Sequence, residues 1–189
     1  MTGIRQAEPQ ELDAVEAIIV RTFAGEPFMS WVAGNDGARL ARFVRLAVRR
    51  LAAPAGEVLV DGELTTAALV LPPGALDAGP VQQVRQLPDL VRAARLHRLP
   101  TVLRGLIRLE GAHPEEPHRT LLTLGVDPPH QGEGRGSAML REIARRSPLP
   151  LYLETSSPRT VRLYERHGYV TQRELRLPRG PLVWTMLAR

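Results

Sequence analysis

The sequence predicts an α/β fold with a mixed, mostly antiparallel central sheet flanked by helices. A short apolar run over residues 121–126 is followed by a glycine-rich turn and a helical pattern. A second apolar run, residues 149–155, comes after that helix, and strands separated by a helix are expected to pair in parallel. Two further pairs of strand-like runs, one within 57–71 and one at 169–177 and 182–187, meet at short turns, which join antiparallel strands.

Hydrophobic spacing and turn residues predict the remaining elements. In chain order these are a strand at 4–7, a helix after Pro9, a turn at 25–31, a helix at 38–52, a hairpin at 57–71, short helices within 81–109, a strand at 119–126, a helix at 137–146, a strand at 149–155, a helix between Ser157 and Gly168, and closing strands at 169–177 and 182–187. The hairpin depends on Asp61-Gly62 between β-forming residues. The region 81–109 is broken at Pro88 and Pro100 and is interpreted as a lid or wall.

Composition predicts one globular domain over residues 1–189. No apolar stretch could span a bilayer and the N-terminus lacks a signal-like region, so we expect a cytoplasmic protein with no membrane attachment. The sequence has no cysteine, which excludes disulfides and a cysteine acyl carrier, and no histidine pair has persuasive metal-ligand spacing, so we expect no metal. All 25 basic residues are Arg and they are scattered, so we expect no nucleic-acid partner.

The glycine-rich turn predicts an anion site. Gly132, Gly134 and Gly136 have no Cβ to hold a ligand away from the backbone. The following helix begins with N–H groups that have no intrahelical partner, and its dipole adds positive charge there. A tight turn without a ligand is the alternative, since a glycine-rich turn alone is not specific.

Two ordered motifs resemble the GCN5-related N-acetyltransferases (the GNAT family). Val126-x-Pro128-x-x-Gln131-x-x-Gly134-x-Gly136 resembles their acyl-coenzyme-A signature, and Leu153-Glu-Thr-Ser-Ser-Pro-Arg159 with Leu163-Tyr-Glu-Arg-His-Gly-Tyr169 resembles their second motif. These segments and Pro178-Arg-Gly-Pro181 look most like puromycin N-acetyltransferase and its relatives. The resemblance implies an acyltransferase whose sheet is splayed at the parallel strand pair, where acetyl-coenzyme A (acetyl-CoA) inserts. Without a cysteine, transfer to the amine would be direct.

The resemblance also implies roles for individual residues. Backbone groups of Leu124 and Val126 would hold the pantetheine and acetyl ends of acetyl-CoA. The pyrophosphate would be bound by the turn and the first residues of the helix: Gln131, Gly132, Glu133, Gly134, Arg135, Gly136 and Ser137. Tyr164 would protonate the departing thiolate, because a phenol is protonated at neutral pH; a core tyrosine is the alternative.

The proton acceptor is predicted to be Glu154, with Glu26, Glu116, His118 or water as alternatives. Glu26, Phe28 and Trp31 are predicted to line the acceptor pocket, and packing in the core is the alternative for the two aromatic residues.

Three residues depart from the family pattern. Glu133 stands where a basic residue is common, Arg135 where an apolar one is common, and Thr160 where Asn is common. The predicted function is acetyl transfer from acetyl-CoA to an amine of a small molecule, such as an aminonucleoside or an antibiotic-like amine. Protein N-acetylation and catalytically silent coenzyme binding are the alternatives, and a homodimer is left open.

Overall fold

Seven strands form one sheet with the order β1-β2-β3-β4-β5-β7-β6, which confirms the predicted fold class. The computed structural model describes residues 3–76 and 98–189. The strands are β1 (Arg5–Gln6), β2 (Glu57–Val60), β3 (Thr66–Leu71), β4 (Arg119–Val126), β5 (Leu151–Thr155), β6 (Val170–Arg176) and β7 (Leu182–Ala188). The pair β4–β5 is parallel, as expected for strands joined through a helix, and the other neighbouring pairs are antiparallel.

Helices cover both faces of this sheet. They are α1 (Leu12–Phe23), α2 (Pro27–Ala33), α3 (Gly37–Leu46), α4 (Leu99–Glu110), α5 (Arg135–Arg145) and α6 (Pro158–Glu165). A π-helical stretch, Ala47–Ala52, and a last turn, Ala53–Ala55, extend α3. Residues 81–97 of the predicted region 81–109 lie outside the described residues, and with them the lid or wall expected there. Pro100 falls in the first turn of α4, where proline is tolerated.

The predicted turn over residues 25–31 is wrong, because this segment contains α2. Glu26 caps the helix by accepting the Met29 N–H (2.9 Å), Pro27 occupies the first turn, and Gly34 ends the helix at φ +70°. Glu is an uncommon N-cap, and a seven-residue helix carries little periodicity, so the pattern favoured a turn.

The hairpin at β2–β3 is confirmed, but five loop residues, 61–65, separate its strands rather than a tight Asp-Gly turn. The Asp61 carboxylate accepts the Thr65 hydroxyl and the backbone N–H groups of Thr65 and Thr66. Leu64 adopts φ +53°. Asp61 therefore organises the loop through its side chain.

Alternating residues of β2 and β3 supply cores on the two sheet faces. Val58, Val60 and Leu69 pack with α1 and α3, whereas Leu59 and Val70 pack with α5. The apolar stripe predicted for α5 is confirmed, since Met139, Leu140 and Ile143 are all at most 2% exposed. Burial stabilises each by about 1.5–3 kcal/mol, which fixes the helix that follows the glycine-rich turn.

In the described part of the chain, no helix combines the length and apolar character required to cross a membrane.

Candidate active site

The parallel strands β4 and β5 separate partway along their length. Their pairing covers Arg119–Leu121 against Leu151–Leu153 and stops there. Beyond that point β4 continues to Val126 beside β3, while β5 continues to Thr155 beside β7. The facing edges of the two strands are therefore open, and we call the wedge between Leu122–Val126 and Glu154–Thr155 the cleft.

The two ends of β4 direct their amide groups to opposite neighbours. The Arg119 N–H donates to the Pro150 carbonyl on the β5 side (2.8 Å), and the Asp127 N–H donates to the Thr65 carbonyl on the β3 side (2.8 Å). In a regular strand, residues an even number apart direct their backbone groups to the same side. Because 119 and 127 break this rule, β4 must contain one extra residue.

The extra residue is a bulge. One step along β3, from Leu69 to Val70, spans two steps along β4, from Thr123 to Leu121. After the bulge, Gly125 is on the β3-bonded side and the N–H and C=O groups of Leu124 and Val126 face the cleft. The Val126 carbonyl already accepts the Thr22 hydroxyl (3.0 Å) and the Gln131 side-chain amide (3.1 Å).

The cleft leads directly into the glycine-rich turn and the start of α5. Gly132 and Gly134 have φ of +89° and +79°, and Gly134 is the residue before the helix. A Cβ on either would meet no atom within 4 Å, so backbone conformation and not internal packing requires glycine there. The first N–H groups of α5 receive no side-chain cap from the described residues. This arrangement suits an anion.

A network of ion pairs lies beside this turn, and it includes Glu133 and Arg135, two of the residues that depart from the family pattern. Arg135 bonds Glu133 (2.8 Å), Glu63 (2.8 Å) and Asp61 (3.1 Å). Arg135 therefore pairs with Glu133, and two further carboxylates share the same guanidinium. The Arg135 side chain holds the pKa of Glu133 below its usual value, so Glu133 is a carboxylate at neutral pH.

Ser137, in the first turn of α5, contacts a residue that lies just after α6. Its hydroxyl lies 2.9 Å from Nε2 of His167, just after α6. Burial, with Arg141 and Arg166 nearby, lowers the pKa of His167, which favours the neutral ring. At the start of α6, the Thr160 hydroxyl donates to the Ser157 carbonyl (2.9 Å), so it is hydrogen-bonded within the first turn of its own helix.

Tyr164 lies on the inner face of α6 and is 8% exposed. Its ring packs at 5.4 Å from that of Tyr169, and among the described residues its hydroxyl has no hydrogen-bond partner. Burial raises the pKa of Tyr164 above its ordinary value, so the phenol stays protonated across the working pH range. It packs among Leu153 and other residues between α5, α6 and the sheet.

Glu154 is the first residue of β5 beyond the parallel pairing, so it borders the cleft. Alternation along the strand places it on the same sheet face as Tyr152, opposite Leu153. The Tyr152 hydroxyl donates to Oε1 of Glu154 (3.0 Å), and Nε2 of His113 lies 3.8 Å from the same oxygen. Burial raises the pKa of Glu154 to about 7, which the Tyr152 hydrogen bond opposes.

The alternative bases lie elsewhere. Glu116 is exposed and pairs with Arg189 (2.8 Å). His118 lies immediately before β4, at the end of the strand where β4 and β5 are still paired, and its ring contacts His113 and Tyr152. Within residues 3–76 and 98–189, no three His, Asp or Glu side chains form an arrangement suited to a metal ion.

The predicted acceptor-side residues lie beside the end of β5. Glu26 bonds the hydroxyl of Ser156, which in turn accepts the Phe28 N–H (3.1 Å). Trp31 is 4% exposed, packs against Leu177 and donates to the Pro178 carbonyl (3.0 Å). These contacts give Trp31 a packing role, and its place in an acceptor pocket stays a prediction.

Sequence reasoning missed three residues. His113 and Tyr152 contact Glu154, and the alternation of Tyr152 with Glu154 along one strand was a usable signal for the second. The third is Thr123, at the bulge, whose hydroxyl is buried without a hydrogen-bond partner among the described residues. No local pattern reveals Thr123, because the bulge arises from pairing with β3.

Comparison with known proteins agrees with this geometry. Residues 101–171, which include the cleft strands, the glycine-rich turn and all of α6, match the family described as "Acetyltransferase (GNAT) domain". A solved structure from Corynebacterium glutamicum, described as histone acetyltransferase HPA2 and related acetyltransferase, is 26% identical with a TM-score of 0.72, covering 99% of this chain and 96% of that one.

Two insect enzymes share the fold at lower identity. Polyamine N-acetyltransferase from Drosophila melanogaster has a TM-score of 0.71 at 17% identity, with 99% of both chains covered. Arylalkylamine N-acetyltransferase 2 from Aedes aegypti has a TM-score of 0.65 at 11% identity, covering 98% of this chain and 97% of that one. This chain therefore shares its overall fold with both enzymes.

Proposed function

We propose that this chain, which carries a GNAT acetyltransferase domain, transfers the acetyl group of acetyl-CoA directly to an amine of a small molecule. The observation that carries the proposal is the continuity of the cleft. The cleft-facing backbone of Leu124 and Val126 is followed, after one short 3-10 turn at Pro128–His130, by the glycine-rich turn and the uncapped start of α5.

This continuity fits the shape and polarity of acetyl-CoA. The pantetheine carries amides that can bond the Leu124 backbone and the Val126 N–H as an added strand would, and the pyrophosphate suits the turn from Gln131 to Ser137. A backbone N–H at the bulged end of β4 could polarise the thioester carbonyl. Loss of one such donor in other enzymes costs about 2.7–4 kcal/mol of transition-state stabilisation.

Two side chains then provide the proton transfers. Glu154 takes a proton from the amine, and its pKa of about 7 suits a base at neutral pH. The amine nitrogen attacks the thioester carbon, and the carbon–sulfur bond breaks as the thiolate leaves. Tyr164 gives its proton to that thiolate, and burial keeps it protonated until then.

The acceptor is proposed to be a small amine that carries positive charge. Glu26 and Glu154 put two carboxylates at the end of β5, and a protonated amine would be attracted to both. The motif resemblance to puromycin N-acetyltransferase points to aminonucleosides. Polyamines and agmatine are a second group, because the Drosophila enzyme forms N-acetylagmatine.

The coenzyme test is calorimetric titration with acetyl-CoA of the parent and of Gly136→Glu. Gly136 has an ordinary φ and its Cβ would make only van der Waals contact with Val126 (3.6 Å), so the new carboxylate should block the phosphate turn without disturbing the fold. Gly37→Glu is the matched control, since it places the same side chain in the first turn of α3, where space is open. We expect binding to be lost in the first variant only; a parent that does not bind acetyl-CoA would refute the proposal.

The acceptor test is a screen of amines in which released coenzyme A is detected as free thiol. The chain has no cysteine, so the protein contributes no background signal. Aminonucleosides, polyamines and agmatine form one arm, and basic proteins or peptides form the other, because the Corynebacterium relative is described with a histone acetyltransferase. Faster turnover of the peptides would replace the small-molecule proposal with protein acetylation, and coenzyme binding without turnover of either arm would indicate a silent binding protein.

A further inference from the structure

A chain of contacts runs from Glu154 to the surface on the face of the sheet that carries Tyr152. Nε2 of His113 lies 3.8 Å from Oε1 of Glu154, and Nδ1 of His113 lies 3.1 Å from Nε2 of His118. Nδ1 of His118 lies 2.8 Å from the Glu116 carbonyl oxygen. The Tyr152 ring packs against both imidazoles, at 4.3 Å and 5.5 Å between ring centres, and holds them in line.

The carbonyl at the far end fixes where the protons lie. A carbonyl only accepts, so Nδ1 of His118 must carry a proton. If His118 is neutral, its Nε2 is then an acceptor, and the proton in the bond between the rings belongs to Nδ1 of His113. A neutral His113 consequently presents an unprotonated Nε2 to Glu154.

We propose that Glu154, His113 and His118 form one proton-holding chain, in which the proton taken from the acceptor amine is passed from the carboxyl group to the histidine pair. The proposal rests on the proposed function and assigns His113 and His118 as positioning residues that return Glu154 to its carboxylate form. The bond from Tyr152 and the contact from His113 both involve Oε1, which leaves Oε2 of Glu154 for the amine.

The transfers move one proton in turn through three residues. The amine loses a proton to Oε2 of Glu154, a half-turn of the carboxyl group exchanges its two oxygens, and Glu154 then gives the proton to Nε2 of His113. His113 then gives its Nδ1 proton to Nε2 of His118. After these transfers, Glu154 is a carboxylate, His113 is neutral and donates from Nε2 to that carboxylate, and His118 is an imidazolium. His118 is half-exposed, so its extra proton can leave to solvent there.

Other charged groups act on the two ends of the chain. Arg173 from β6 acts on Tyr152, and the exposed pair of Glu116 with Arg189 lies beside His118. The Tyr152 phenol stays protonated because burial and the charge of Glu154 raise its pKa. It therefore acts as a fixed donor to Glu154 and does not compete for the transferred proton.

The first test needs no substrate. Nitrogen-15 NMR of the imidazole rings in the free, full-length protein above the titration range should show His113 and His118 both protonated at Nδ1 and unprotonated at Nε2. On lowering the pH, the Nε2 signals of both rings should change together, because one proton is shared. An Nε2-protonated neutral His118, or two independent titrations, would overturn the proposal.

The second test is the pH dependence of kcat/KM for the parent, His113→Phe and His118→Phe. Phenylalanine keeps the ring packing on Tyr152 but cannot hold a proton. While the chain holds the proton at His118, Glu154 stays a carboxylate, so removing either histidine should leave the proton on Glu154 and move the acid-side midpoint upward. Glu115→Gln, an exposed change on the same turn, is the control and should leave the midpoint in place.

The outcomes separate this proposal from the proposed function. Acid-side midpoints that stay in place in both histidine variants, with activity retained, would overturn the proton-holding chain while leaving acetyl transfer intact. A parent that acetylates no amine would overturn the proposed function, and the NMR result would still decide whether the chain exists. Should His113→Phe fail to fold, His118→Phe and the NMR titration carry the test.

Discussion

Replacing Tyr164 with Phe should separate catalysis from stability. The phenyl ring would keep its contact with Tyr169 at 5.4 Å, and only a hydroxyl without a hydrogen-bond partner among the described residues would be lost. Because no donor or acceptor is left unpaired, we expect the free energy of unfolding to change by less than about 1 kcal/mol. General acid catalysis contributes about 10²–10⁴-fold, so kcat should fall by at least about 100-fold, equivalent to about 3 kcal/mol or more.

The assay for this variant is steady-state thiol release, combined with calorimetric titration of acetyl-CoA and thermal unfolding. Tyr169→Phe is the matched control, since Tyr169 is buried to a similar degree (5% exposed against 8%) and has no proposed catalytic role. We expect coenzyme affinity and unfolding temperature to be nearly unchanged in both variants and kcat to fall only in the first. A Tyr164→Phe enzyme with parental kcat would refute the acid role and leave Tyr164 as a core residue.

Three further predictions concern charge and packing. Glu154→Gln should abolish the rise of kcat/KM through pH 7 and should also stabilise the fold at pH 8. Burial raises the pKa of Glu154 from 4.5 to about 7 in the folded state, so the free energy of unfolding falls by up to about 3 kcal/mol as pH rises between those values. Denaturant titration at pH 5 and 8 can measure this change. Glu133→Gln should tighten acetyl-CoA binding up to about five-fold at low salt, with the gain shrinking in high salt, as calorimetry would show; weaker binding would mean that Glu133 is needed to hold Arg135. Gly105→Ala should cost about 1–3 kcal/mol of unfolding free energy, because its Cβ would clash with Cη2 of Trp31, whereas Gly111→Ala, whose Cβ meets nothing among the described residues closer than 3.5 Å, should be close to neutral.

The sequence predicted the parts of the fold that local chemistry determines. Gly132 and Gly134 do adopt left-handed backbone, and the residues of the α5 stripe are buried as the spacing indicated. The parallel partnership of β4 and β5 followed from the helix between them. In each case the residues that carry the signal lie within a few positions of the feature they predict.

The missed features depend on distant partners. The cap of α2 was missed because Glu26 is an atypical N-cap, and its other contact is with Ser156, 130 residues away. The bulge in β4 depends on register with β3, which the run 121–124 does not encode by itself. His113 meets Glu154 only because the turn before β4 packs over β5. The predicted roles of Tyr164, Glu154 and the turn residues stay predictions, which the variants above test.

The bulge divides β4 into two segments with different hydrogen-bonding surroundings. Up to Leu121, β4 is paired with β3 along one edge and with β5 along the other, and from Leu124 onward the edge that faced β5 is open to the cleft. A regular strand would turn the backbone of Leu124 and Val126 back toward β3. The open edge of β4 to which we propose the coenzyme binds therefore follows from the number of residues between Leu121 and Thr123 more than from their identity. Substitutions in this stretch can be absorbed by repacking, but the gain or loss of a single residue would exchange the two edges of the strand.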